Sequence, residues 1–336
     1  MENNHSIFKL LNINNNDTLS KLHGNDIQNI IYFLNKYYLE LRTNLNLKSE
    51  DTFGLELEFE HSNNLKISEE LNNAWILKSD ASLEDGGEVN SPILSDQKSV
   101  WTNLKNTCTI IKEYSKPGEK AAGHIHVGAQ VLGNNYSNWL NFIKLWSTYE
   151  NVLFRFGYNE YLTERPQITK YAGPISHELW LSAGNIEYDN YVKESFPFRF
   201  CYLKDLLPYA RPQAVNFINI SDPSLMKLKN TIEFRNFNET LNPIIWQNNV
   251  NLLVKLLNYC CRDSFDLDII ENRHKMNEGI YNSINLYREI YLNEALELAD
   301  LIFDNNLDKV YFLKQYLKNY EVGYKPLTLA KKITID

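Results

Sequence analysis

From Thr52 onward apolar and polar residues alternate strictly. Phe53, Leu55, Leu57 and Phe59 interleave with Gly54, Glu56, Glu58 and Glu60. Successive side chains of a strand point to opposite faces, so this spacing predicts a half-buried β-strand with an acidic front. Residues 75–78 and 88–91 read as two further strands, separated by the turn chemistry of Asp85-Gly86-Gly87. Residues 123–131, 214–220 and 231–237 complete the predicted strands. Before them, Ile27, Ile30, Ile31, Leu34, Tyr38 and Leu41 recur at helical spacing and predict a helix over 25–45, followed by a polar connection over 44–51. Helices are also expected over 99–114, over 139–156, and from Pro243 to about residue 259. The segment 157–210 reads as irregular, and the tail from about 264 as mostly helical and polar.

Strands broken by helices and loops, without regular β-α alternation, point to an α+β fold built on a largely antiparallel sheet backed by helices. The expected organisation is an N-terminal helical extension (1–50), a central domain (51–262) and a C-terminal helical region packed on it (263–336).

Three strands place polar residues two apart: Glu56-x-Glu58, His124-x-His126 and Glu233-x-Arg235. The residues between them, Leu57, Ile125 and Phe234, are apolar. Each pair therefore shares one face while the apolar face packs behind. Glu88-x-Asn90 repeats the habit around Val89. Any one pair is also what a solvated sheet carries; the conjunction is the signal. Carboxylates that converge repel one another, and a bound cation is the natural compensation. Carboxylates with a minority of imidazole suit Mg²⁺ or Mn²⁺ better than a thiolate-seeking metal. An arginine beside such a cluster can grip phosphate or carboxylate bidentately.

Composition narrows the partners. The 336-residue chain is 43% hydrophobic and 13% aromatic, enough for a sizeable core. Its formal charge of −8 argues against nucleic acid as a main partner. No basic segment followed by an apolar run opens the chain, and no stretch is long and apolar enough for a membrane span, so a cytoplasmic location is expected. None of the four cysteines forms a C-x-x-C pair, and Cys260 and Cys261 read as thiols of an intracellular helix. There is no glycine-rich phosphate cradle of the P-loop or dinucleotide kind, and no H-E-x-x-H helix. A nucleotide here would have its phosphates held by metals and arginines.

The motifs, in order, resemble the amidoligase family, distant relatives of glutamine synthetase and glutamate–cysteine ligase. They are Gly54-Leu55-Glu56-Leu57-Glu58, Asp80-Ala81-Ser82-Leu83, Gly86-Gly87-Glu88-Val89-Asn90-Ser91-Pro92, His124-Ile125-His126-Val127-Gly128, and Glu233-Phe234-Arg235 continuing to Thr240-Leu241-Asn242. The resemblance covers roughly residues 52–260. It implies a curved antiparallel half barrel holding ATP and two or three divalent ions. It implies Glu56, Glu58, Glu88, His124, His126 and Glu233 as metal ligands, with Glu233 and Arg235 in catalysis. Arg235, Arg211 and Arg165 are the implied nucleotide-phosphate contacts. The activity implied is ATP-dependent formation of an amide between a small-molecule or peptide carboxylate and an amine, through an acyl phosphate. Another metal-dependent hydrolase or phosphotransferase, or an inactive nucleotide- or peptide-binding module, are the alternatives. Two departures stand out: Ala81 where the family has glycine, and Glu239 where it has glycine before Thr-Leu-Asn. The aromatic run Phe196-Pro197-Phe198-Arg199-Phe200 is a candidate lining for a substrate cleft.

Overall fold

A computed structural model describes residues 30, 34, 39–116, 118–188, 207–208, 212–220, 230–277, 279–281 and 283–318. Its centre is one open six-stranded sheet, in the order β2-β3-β1-β4-β6-β5. The strands are β1 (Phe53–Phe59), β2 (Ile76–Lys78), β3 (Gly87–Asn90), β4 (Ala122–Gly128), β5 (Val215–Asn216) and β6 (Thr231–Asn238). Every pairing between them is antiparallel. The fold class is thus the α+β arrangement expected, with a sheet that stays open.

The apolar face of the sheet is the core. Phe53, Leu55, Leu57 and Phe59 on β1, Ile125 and Val127 on β4, and Ile232 and Phe234 on β6 are all buried. Helices α2 (Lys98–Tyr114), α3 (Tyr136–Gly157) and α6 (Pro243–Cys260) contribute the residues that cover this face. Trp101 stacks on Phe53 at 5.3 Å between ring centroids, and Trp146 lies against Phe234 at the same separation. Gly123 leaves room for α6: a Cβ there would meet Trp246 at 2.7 Å. Asn242 caps α6 by accepting from the Ile244 amide, and Pro243 fits the first turn, where no amide is needed.

Helix α3 is buried along almost its whole length from Phe142, because α5 (Ser176–Tyr188), α7 (Leu267–Met276), α8 (Leu292–Ile302) and α9 (Asn306–Tyr316) pack around it. One continuous apolar core holds Ile30 and Leu34, the sheet, and Phe312, Leu313 and Leu317. It includes residues from both sides of positions 50 and 262.

Several elements differ from the pattern-based reading. Residues 39–45 are not helical; the Leu45 and Leu47 amides donate instead to Asp96, so this stretch is held by a side chain rather than a helix ladder. The strand expected over 123–131 ends at Gly128, and Ala129–Val131 forms a 3₁₀ turn. The strand expected over 214–220 shrinks to two residues, because Asn216 turns its side chain onto the Ile218 amide. Within the stretch read as irregular lies α5, whose buried Leu179, Ala183 and Ile186 do have helical spacing. A short α1 (Asn64–Glu70) and a one-turn α4 (Ile168–Tyr171) were not anticipated either. No helix among the described residues is long and apolar enough to cross a membrane. Cys260 is buried and Cys261 half-buried, both as free thiols.

Candidate active site

The register of the sheet brings together residues far apart in sequence. Glu56 lies opposite His124 on one side and Asn90 on the other, and Glu58 lies opposite Glu88. His126 lies opposite Glu233, and Asn216 completes the row beyond it. Six predicted ligands thus sit on four neighbouring strands of one face.

Glu56 is the hub. One of its carboxylate oxygens is 3.0 Å from His124 Nδ1 and the other 3.0 Å from His126 Nε2. Burial works against its charge, but the hydrogen bonds from the two imidazoles outweigh that and hold its carboxyl well below the usual carboxylate range. His124 Nε2 reaches Glu58 at 3.5 Å. His126 Nδ1 faces the Thr231 hydroxyl at 3.2 Å, which orients the ring. Glu58 accepts from the Ala122 amide at 2.8 Å. Glu88 behaves oppositely to Glu56: burial, then the charge of Glu56, pushes its carboxyl up to about 7.

Three groups of side chains have ligand atoms within 4.8 Å of one another: Glu56, His126 and Glu233; Glu56, Glu88 and His124; and Glu58, Asp80 and Glu88. Glu56 and Glu88 are each shared by two groups. The donor set fits a hard divalent cation, with carboxylates dominant and imidazole in the minority. A further feature fits as well. Asn90 Oδ1, on the strand beside Glu56, is buried with no hydrogen-bond partner among the described residues.

Arg235 projects from the same strand as Glu233 and pairs closely with it through Nη1. Asn216 holds the other Glu233 oxygen at 2.7 Å. Comparison with protein-family models gives no match, and comparison with curated proteins gives none that is significant.

Beside the acidic groups lies a cleft of about 320 Å³, lined by Glu58, Ser82, Lys120, His124, Arg165 and Arg235 among others. Its volume is at the small end of ligand pockets. Arg165 is fixed there by the sheet edge. The register slips between Gly123 and Ile125, and β5 pairs with β6 only as far as Phe234. The Phe237 carbonyl accepts from Arg165 Nη1 at 2.7 Å, and the Arg235 carbonyl accepts more weakly at 3.3 Å. Gln167, also on the cleft, takes a left-handed φ of +60°, an uncommon backbone conformation for a residue with a side chain.

Arg211 and the run Phe196 to Phe200 lie outside the described residues. Ala81 needs no positive φ. The turn is made by Asp80, whose Oδ1 accepts from the amide and hydroxyl of Ser82, both at 2.7 Å. Glu239 is buried and does not line the cleft.

Sequence reasoning missed Asp80, Asn216, Thr231 and Lys120 as members of the site. Asp80 had a signal, since it stands in the Asp80-Ala81-Ser82 turn two residues beyond β2. Thr231 also had one: it is two positions before Glu233, on the same face. Lys120 had none. It is placed by Glu60, which accepts from the Lys120 amide with one oxygen and from the Glu84 amide with the other, both at 2.9 Å.

Proposed function

We propose that this protein is an ATP-dependent carboxylate–amine ligase that uses divalent metal ions and passes through an acyl phosphate. The observation that carries the reading is the sharing of Glu56 and Glu88 among three adjoining cation groups, with Arg235 held against Glu233 of the group that also contains Glu56 and His126. Phosphoryl transfer asks for this combination: positive charge fixed beside a transferring phosphate, with little covalent work for the protein. Metal ions held by Glu56, Glu58, Glu88, His124, His126, Glu233 and Asp80 would neutralise and orient phosphate oxygens.

The chain's own residues have separable tasks. Glu56 orients both imidazoles, and Thr231 holds the second. Asn216 keeps Glu233 aimed at the groups. Arg235 offers its guanidinium to the transferring phosphoryl. The acid's carboxylate oxygen attacks the γ-phosphorus of ATP and ADP leaves. The amine then attacks the acyl carbon; phosphate leaves, and the amine loses a proton as the amide forms. Amide formation from a free carboxylate is uphill in water, so a phosphate leaving group is required. The ordered motifs from Glu56 to Asn242 favour this chemistry over hydrolysis on the same metal-binding face.

The test is to incubate the purified chain with ATP, Mg²⁺ or Mn²⁺, and pools of amino acids and amines, following phosphate and new masses together. A condensed product formed in step with ADP and phosphate, and lost in Glu233→Gln, supports the ligase. Near wild-type ligation and ATP turnover in Glu233→Gln overturns the metal assignment. Phosphate release without any amine points to a hydrolase.

A further inference from the structure

Two residues beyond Glu58, just past the end of β1, stands a third carboxylate of the same alternation, Glu60. It is only 2% exposed and belongs to none of the three cation groups. Each of its oxygens takes one backbone amide, Oε1 that of Glu84 and Oε2 that of Lys120, both at 2.9 Å. Glu84 lies in the loop between β2 and β3, which also carries Asp80 and Ser82. Lys120 lies in the loop entering β4. Ser82 and Lys120 line the cleft, and Asp80 belongs to the cation group with Glu58 and Glu88.

The backbone reinforces this junction. The His61 amide donates to the Glu84 carbonyl at 3.0 Å, so Glu84 is held at both its amide and its carbonyl. The Leu83 amide donates to the Asp80 carbonyl at 3.3 Å, which ties Asp80 to the clamped end of the loop through one turn. The Lys116 amide donates to the Glu60 carbonyl at 3.2 Å. A Cβ at Gly118 would collide with the Glu60 side chain, so the second loop lies directly against it. The two loops also meet at the surface, where Lys120 Nζ is 3.7 Å from the Glu84 carboxylate. Both those side chains are about half-exposed or more, and such a solvated pair contributes little. The buried carboxylate is the stronger tie, because amides that donate to a charged acceptor make the stronger kind of hydrogen bond.

We propose that Glu60 is a positioning residue of the candidate site. It holds the Asp80 turn and Lys120 at one spacing, and thereby sets the affinity of the cation group formed by Glu58, Asp80 and Glu88 without touching the ion. The proposal rests on the reading of this face as a divalent-cation site and identifies what organises its β3 end.

The test is Mn²⁺ titration of the full-length chain, followed by electron paramagnetic resonance, for wild type, Asp80→Asn, Glu60→Gln and the double variant. Glu60→Gln keeps the shape, but its amide nitrogen faces a backbone N–H rather than accepting from it. One class of Mn²⁺ should weaken about tenfold or more, the usual cost of losing a group that orients metal ligands, while the others keep their affinity. Asp80→Asn should weaken the same class. The double variant should lose less than the two single losses combined, because both act through one ligand. A merely structural role gives a lower melting temperature with every class unchanged, or all classes weakened alike. Hydrogen exchange on wild type supplies a second measurement. Mn²⁺ should slow exchange at the Glu84 and Lys120 amides together, although neither residue is a ligand.

Folded Glu60→Gln that binds Mn²⁺ like wild type overturns the proposal, as do strictly additive losses in the double variant. If Glu60→Gln does not fold by circular dichroism, the exchange measurement decides: Glu84 and Lys120 amides unmoved by Mn²⁺ overturn it. Wild type that binds no Mn²⁺ defeats the cation reading of the face, and this proposal with it. Selective Mn²⁺ loss in Glu60→Gln, without ATP turnover in any substrate pool, leaves the positioning role standing and defeats the ligase reading alone.

Discussion

Glu58 and Glu88 face each other in register across β1 and β3, two carboxylates on the same side of adjacent strands. Like charges directly opposite one another destabilise a sheet. Desolvation, then Glu56 and then Glu58, raise the Glu88 carboxyl from an ordinary 4.5 to about 7. The folded metal-free chain therefore keeps a proton that the unfolded chain has already lost. The associated stability is present below about pH 4.5 and is lost as pH rises through about 7. The melting temperature of metal-free protein should therefore contain a component that falls between pH 5 and pH 8. Glu88→Gln should lack that component, and a melting curve series in EDTA measures it.

Metal binding should show the same proton from the other side. A cation at Glu88 must displace it, so Mn²⁺ affinity should rise as pH approaches 7 and level off above, with up to about one proton released per site at the acid end. Titration of Mn²⁺ in two buffers of different ionisation enthalpy reads the proton count. A pH-independent affinity between 5 and 7 would remove Glu88 from the ligand set.

Because Glu56 belongs to two of the three groups, Glu56→Gln should cost more than one bound cation. Glu233 belongs to one group, so Glu233→Gln should cost one. Counting bound Mn²⁺ by electron paramagnetic resonance separates the two cases. Equal losses in both variants would contradict the shared-ligand arrangement.

Away from the site, Glu150 is a buried hydrogen-bonded junction. This buried carboxylate accepts from the Ile175 amide at 2.9 Å, the Ser176 amide at 3.0 Å, Trp146 Nε1 at 3.1 Å and the Tyr287 hydroxyl at 2.9 Å. It ties the start of α5 to α3. Glu150→Ala would leave buried donors unsatisfied and should destabilise the fold by about 3 kcal/mol. Urea unfolding should detect a shift that large; a change under about 0.5 kcal/mol would show that α5 is held by packing alone.

What could be read before folding follows from periodicity. The alternation from Phe53 to Glu60 and the i, i+2 pairs at Glu88, His124 and Glu233 were sufficient to place the six candidate ligands on polar strand faces, because the side-chain direction of a strand repeats every second residue. The same reasoning failed at residues 39–45 and at α5. In the first, Asp96 offers backbone amides an alternative to a helix. In the second, the cap at Ser176 comes from Glu150, distant in sequence, and no local capping pattern announces it.

The sequence by itself determined which residues turn to the polar face and that carboxylates dominate there. Only the tertiary structure decided strand order, and with it that Glu56 stands between His124 and Asn90 while His126 meets Glu233. Strand register depends on pairing between distant segments, which periodicity within one segment does not encode. The same holds for Lys120 and Arg165. Each is brought to the site by a loop whose position is set by contacts with Glu60, or with carbonyls of β6, rather than by its neighbours in the chain.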